Sequence, residues 1–306
     1  MDTVGHEMTS PKPQKANTCA VMVTHRPDAD LSERIARIWP QVDKLVVVDN
    51  GSGNAELSRL QQLSLEIGFH LISNSQNLGV ATAFNQGLCQ AAEEGYTWVL
   101  TLDHDTIVAD DMIETLSAVY EEFPQRDRLA IIGSNYIDLN SGKLLFDGNG
   151  DDGCSWREGK AVTTSGSLMC LPIYTAIGPL RDEFFIDCVD VEYCVRARCR
   201  GFRIVLSRKP VMHHAVGAIT MHKLLWKTTT TSNHSPARRY YMARNNLALS
   251  REYLFREPVF VLESFCWYLK SIIVMCLFER ERLHKLRRIV VGAFDGLFSN
   301  FGRSVK

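Results

Sequence analysis

From Cys19 to Leu102, four short apolar runs alternate with three amphipathic stretches, and few folds accommodate that order. Cys19-Ala20-Val21-Met22-Val23-Thr24, Lys44 to Val48, His70 to Ser73 and Trp98 to Leu102 read as buried strands. Between them, Leu31, Ile35 and Ile38 share one helical face. Ala55 to Ile67 is closed by Gly68, and Asn77-Leu78-Gly79 opens a helix through Ala81, Phe84, Leu88 and Ala91 that Gly95 ends. Strand–helix alternation with short links predicts a mostly parallel sheet flanked by helices, an α/β architecture.

Three of these strands run into polar clusters: Thr24-His25, Asp49-Asn50-Gly51-Ser52 and Asp103-His104-Asp105. In a parallel sheet such loops emerge together at the carboxyl edge, where open α/β sheets bind ligands. A lone Asp-x-Asp is a common turn; three polar clusters at one edge make a site. Carboxylates there suit a hard cation such as Mg²⁺ or Mn²⁺ that also holds substrate phosphates. Asp49 is placed to accept from a base imide, His25 to pack on the base, and Asp103 and Asp105 to reach ribose and metal. His214 is a candidate third ligand.

The pattern continues with a helix from Asp110 to Phe123, strands Leu129 to Gly133 and Val162 to Met169, and a hairpin around Asn140-Ser141-Gly142. Asp187, Asp190 and Glu192 crowd the start of a helix ending near Arg200. Acidic capping explains such a cluster; so does a general base, and spacing does not choose between them. Gly-x-Gly-x-x-Gly, a Walker lysine and Gly-x-Ser-x-Gly are all missing, which removes dinucleotide-binding, P-loop and serine-hydrolase readings. The net charge of −1 gives no argument for nucleic acid. Nine cysteines without a Cys-x-x-Cys pair read as reduced thiols and favour the cytoplasm.

Val-Val-Val-Asp-Asn-Gly-Ser at 46–52, Asn-Leu-Gly-Val-Ala-Thr-Ala-Phe-Asn-Gln-Gly at 77–87 and Leu-Asp-His-Asp at 102–105 resemble the family-two glycosyltransferases of GT-A fold. Phe-Ile-Asp-Cys-Val-Asp-Val-Glu-Tyr-Cys-Val-Arg-Ala-Arg at 185–198 and His-Ala-Val-Gly at 214–217 follow in order, and Arg-Arg-Tyr-Tyr-Met-Ala-Arg-Asn at 238–245 resembles the bacterial rhamnosyltransferase branch. The resemblance implies a GT-A nucleotide-sugar-binding fold and an inverting, metal-dependent transfer. Thr24, His25 and Asp49 would hold the base, and Asn77, Gly79 and Asn85 would line the nucleotide and sugar pocket. Asp103 and Asp105 would bind Mg²⁺ or Mn²⁺ with help from His214. Asp190 would be the base, with Asp187 and Glu192 as alternates because Val189 replaces a Glu common in relatives. Ser165 and Gly166 would shape the donor-sugar side; Arg239 and Arg244 are candidates for phosphate.

The expected donor is dTDP-L-rhamnose and the acceptor a hydroxyl of a lipid-linked or growing surface glycan, as in O-antigen assembly. A UDP-sugar enzyme of the same family and a non-catalytic glycan- or nucleotide-binding relative are the alternatives. By segment, 1–17 reads as a disordered lead-in, 18–250 as the transferase domain and 251–306 as a helical extension. In the last, apolar Val259 to Phe278 carries Glu263 and Lys270, and Arg280 to Arg288 is basic. This fits an amphipathic segment peripheral on an anionic membrane, or a hairpin packed on the domain or on a second copy in a homo-oligomer.

Overall fold

The computed structural model describes residues 10–146, 153–214, 220–224 and 227–302. Strands β1 (Thr18–Thr24), β2 (Lys44–Asn50), β3 (His70–Asn74) and β4 (Trp98–Asp103) alternate with helices α1 (Leu31–Ile38), α2 (Asn54–Ile67) and α3 (Val80–Glu93). All four strands are parallel, in the order β3-β2-β1-β4. Every residue of β1 is buried, because helices cover both faces of the sheet. Gly87 lets α3 lie close on β1, where a Cβ would come within 2.3 Å of Val21. α2 ends at Gly68, whose left-handed φ of 92° lets its N–H reach Ser64 O.

The chain continues through β5 (Ile107–Val108), α4 (Met112–Glu122), β6 (Leu129–Asp138), β7 (Trp156–Glu158), β8 (Ser167–Cys170), α5 (Leu171–Ile177), α6 (Val189–Cys199) and β9 (Arg203–His214). β8 lies antiparallel between β4 and β6; β9 runs parallel to β6 and antiparallel to β5 and β7. The sheet is therefore mixed, with most strands sharing one direction. The turn expected at Asn140-Ser141-Gly142 is present, closed by Gly142 N–H to Asp138 O at 2.7 Å. The strand expected from Val162 to Met169, with its interruption at Thr164-Ser165-Gly166-Ser167, is observed only from Ser167. The preceding residues form a loop pinned to β4 by Gly166 N–H to Thr101 O at 2.8 Å.

Two parts of the segmentation change. Residues 10–17 do not form a disordered lead-in: Ser10 is buried against Cys170 (3.2 Å), and Pro11 O accepts from Trp98 Nε1 at 2.8 Å. The 250/251 boundary falls inside a helix. After the hairpin β10 (Thr220–Leu224) and β11 (Lys227–Thr231) come α7 (Pro236–Tyr253), α8 (Pro258–Phe278) and α9 (Arg282–Leu297). α9 is seated on α7 through Gly292 and Gly296, where an added Cβ would meet Tyr240 O at 2.3 Å and Arg244 O at 2.2 Å. Asp295 accepts from Tyr240 Oη at 2.8 Å across the same contact.

Candidate active site

The parallel register aligns the strand ends: Thr24 pairs with Asp49 and Val23 with Asp103. β4 delivers Asp103 to this edge, a turn closed by Thr106 N–H to Asp103 O follows, and β5 pairs with β9 so that His213 opposes Ile107. His214 is thereby brought to Asp103 and Asp105, with one ligand atom of each within 4.8 Å of the others. A chain of hydroxyls fixes the cluster. Ser165 Oγ accepts from Asp103 N at 3.0 Å and lies 2.6 Å from Thr106 Oγ1, which lies 3.0 Å from His214 Nδ1.

Electrostatically this cluster is unfinished. Burial, then the charges of Asp105 and Asp190, push the Asp103 carboxyl up to about 7. Asp105 Oδ1 is buried with no hydrogen-bond partner among the described residues. Burial also pushes His214 below the ordinary imidazole range, which favours the neutral, ligating form. Two carboxylates that repel, an orphaned buried oxygen and a neutral imidazole are what a divalent cation would complete. The residues fit Mg²⁺ or Mn²⁺.

Facing this cluster, the turn before α6 holds three non-glycine residues at positive φ: Phe185 (60°), Asp187 (65°) and Cys188 (60°). Such geometry persists only where the surroundings over-determine it. Asn245 Nδ2 donates to the carbonyls of Phe184 (2.8 Å), Ile186 (2.9 Å) and Asp187 (2.8 Å), and Phe185 O accepts from Val80 N at 2.7 Å. The three acidic residues that follow differ in surroundings. Asp187 takes a forked contact from Arg238, Nε to Oδ2 at 3.0 Å and Nη2 to Oδ1 at 3.0 Å. Glu192 has no exposed surface and accepts from Arg196 (3.0 Å) and Tyr253 Oη (2.9 Å), which removes it as an alternate base. Asp190 is half-buried, accepts from Val191 N at 2.8 Å, and is held up at about 6 chiefly by burial.

Several residues expected to touch a ligand form the frame instead. Thr24 and Asp49 have no accessible surface, so no ligand can contact them here. Asp49 accepts from Thr24 Oγ1 (3.2 Å), Ser52 N (3.1 Å) and Ser52 Oγ, leaving His25 partly exposed at the same loop. Asn85 is used up by Leu180, Asp182 and Tyr174 at 2.8–3.0 Å. Gly79 is buried at φ 91°, and a Cβ there would sit 2.7 Å from Phe185 Cα; only Asn77 of that trio is exposed. Ser165 and Gly166 are buried and brace the acidic cluster rather than a sugar.

Arg244 is buried and donates to the carbonyls of Glu183 and Phe184. Arg239 is buried against Glu279 at 2.8 Å, so neither reaches phosphate. Sequence reasoning missed Arg238, Thr106 and Asn245. Arg238 lies beside Arg239 in the chain, and nothing in the sequence says which of the two faces the edge. Of the 214–217 motif, only His214 lies among the described residues.

Residues 19–139, the strands and helices that build this edge, match the family model for Glycosyl transferase family 2. Over those residues the chain is similar to that family. The dTDP-rhamnosyl transferase RfbF of Shigella flexneri is 25% identical over 300 residues, covering 92% of this chain and 96% of the relative. Among solved structures, GalNAc-T7 with UDP, GalNAc and Mn²⁺ superposes with a TM-score of 0.59 at 13% identity, over 80% of this chain. The match spans about half (49%) of that longer protein. The mannosyltransferase PcManGT of Pyrobaculum calidifontis, solved with GDP-Man and Mn²⁺, gives 0.55 at 14% identity, over 95% of this chain and 90% of its own. S. aureus TarS 1–349 gives 0.53 at 13%, covering 95% and 93%. These neighbours share the GT-A fold, and this chain is a glycosyltransferase.

Proposed function

We propose that this glycosyltransferase moves L-rhamnose from dTDP-L-rhamnose to a hydroxyl of a surface-glycan acceptor in the cytoplasm, with inversion and with Asp190 as general base. The observation that carries the assignment is the contrast around α6. Asp187 is neutralised by Arg238 and Glu192 by Arg196, whereas among the described residues no cationic side chain pairs with Asp190. A carboxylate at about 6 is ionised at neutral pH yet basic enough to take a proton. Asp190 Oδ accepts the acceptor's proton while its oxygen bonds to the anomeric carbon. The bond to the diphosphate oxygen breaks, and its electron pair leaves with the nucleoside diphosphate. Asp103, Asp105 and His214 would hold the divalent cation, whose charge when bound stabilises that departing diphosphate. Arg238 holds Asp187 in an ion pair, and Asn245 fixes the turn that leads into α6.

Similarity to a dTDP-rhamnosyl transferase supports the donor. A donor panel of dTDP-L-rhamnose, UDP-sugars and GDP-mannose with Mn²⁺ or Mg²⁺, read by nucleoside diphosphate release, tests it. Turnover greatest with dTDP-L-rhamnose is expected, and preference for a UDP-sugar would replace the donor. Asp190→Asn should lower turnover on the order of 100- to 10,000-fold while donor affinity holds. Unchanged turnover would remove Asp190 from the role.

A further inference from the structure

By length and composition, α8 is apolar enough to cross a membrane. Its packing argues against that. Phe260 and Val261 pack with Val195, Leu249 and Tyr253, and Tyr268 and Met275 join Met242 and Ile289 in a second small core. Glu263 is tied to Lys160 of the transferase domain at 2.6 Å. One face of α8 is therefore committed to protein.

The opposite face carries apolar side chains outward at helical spacing: Leu262, Leu269, Ile273 and Leu277, with Ile273 60% exposed. α9 repeats the arrangement with Leu283, Val290, Phe294 and Leu297, Phe294 being 61% exposed. Because both helices turn their inner residues into the core around Met242, these stripes lie on its outside. Exposed apolar surface on this scale marks an interaction surface.

The charges in and beside the stripes identify what it meets. Lys270 sits among the outward residues of α8, Arg287 between Leu283 and Val290 on α9, and Arg280 at the corner joining the helices. No ion pair or hydrogen bond engages Lys270, Arg280 or Arg287 among the described interactions. The buried Lys285, in contrast, is paired with Glu279 at 2.7 Å. Free cations interleaved with apolar side chains suit an interface that offers acyl chains and anionic headgroups together. A two-fold contact with a second copy would gather the free cations of both copies into one interface, since the same patch is used twice.

We infer that the outward faces of α8 and α9 dock on the surface of an anionic lipid bilayer, lying in it and not crossing it. This goes beyond the transfer reaction and does not depend on which sugar is moved.

The test is co-sedimentation of the full chain with vesicles of phosphatidylcholine alone and of an equimolar mixture with phosphatidylglycerol. Point variants serve better than deletion, because removing α9 would strip its seat on α7. The expected result is binding to the anionic vesicles that weakens with salt. Ile273→Glu with Phe294→Glu should lose it at least ~10-fold, with melting temperature and donor turnover unchanged. Arg280→Gln with Arg287→Gln should lose the preference for phosphatidylglycerol, and this pair keeps the inference testable if the first misfolds. Equal pelleting of wild type and both double variants would overturn it. So would a lipid-free dimer in sedimentation velocity that Ile273→Glu with Phe294→Glu dissolves while wild-type protein ignores the vesicles.

Discussion

Asp49 and Asp103 lie at the carboxyl ends of the two strands that flank β1, one residue apart in its register. Their surroundings are opposite. Asp49 has no exposed surface, and its carboxylate is met by Thr24 and by both the N–H and hydroxyl of Ser52. Asp103 and its neighbour Asp105 receive no such donors from their own turn: one is pushed up to about 7 and the other keeps a buried oxygen with no hydrogen bond. A carboxylate that the chain has satisfied holds a loop; one that the chain has left wanting is available to a ligand. A related division, of charge, separates Asp187 and Glu192, each met by an arginine, from Asp190, which accepts from a backbone N–H.

The largest effect that division predicts falls on the unsatisfied pair. Asp105→Asn should cost at least ~100-fold in turnover, the scale seen when one stabiliser of developing charge is removed. Chelation with EDTA should do the same to the wild-type protein, with restoration by Mn²⁺. Fold stability should not fall, since the substitution relieves repulsion with Asp103. Turnover that survives EDTA unchanged would end the metal reading of Asp103, Asp105 and His214.

Asp49→Ala should behave in the opposite way. It strands the Thr24 hydroxyl and the Ser52 N–H, a loss of about 1–3 kcal/mol for buried groups left without a partner. A lower melting temperature with Mn²⁺ affinity intact, measured by calorimetric titration, is the expected outcome. If stability were untouched and nucleotide binding lost, Asp49 would be a base contact after all and the division would fail at its first member.

The sequence carried the fold further than the site. Strand–helix order and the carboxyl-edge loops follow from local periodicity, which survives in a chain read alone. The acidic turn and His214 also proved neighbours, as the motif order suggested. What did not survive was the assignment of individual side chains within those motifs. Asn85 and Gly79 sit in the 77–87 run that carries the family resemblance, yet one is spent on Leu180 and Asp182 and the other makes room for Phe185. Arg239 and Arg244 are candidates for phosphate in the sequence, against the plainer reading of surface arginines; here α8, α9 and the chain beyond them bury both. These fates are set by contacts far along the chain, such as Arg239 with Glu279, and no local pattern encodes them. Arg238, the arginine that does face the edge, differs from its neighbour only by one position on α7.

The smallest predicted effect is the most discriminating, because it separates two carboxylates three residues apart. Asp190 acts as a base only when ionised, so turnover should hold above its value of about 6 and fall ~10-fold per pH unit below it. A divalent cation bound nearby favours the carboxylate and moves that limb to lower pH. The negative charge of Asp187 is among the influences raising Asp190. Asp187→Asn removes that charge and frees the Arg238 guanidinium beside it, both of which favour ionised Asp190. The acid limb should therefore shift down in Asp187→Asn while the plateau is kept to within a few-fold. Were Asp187 the base, the same substitution would collapse the plateau and leave no limb to shift, so one pH–rate profile on one variant distinguishes the paired carboxylate from the unpaired one.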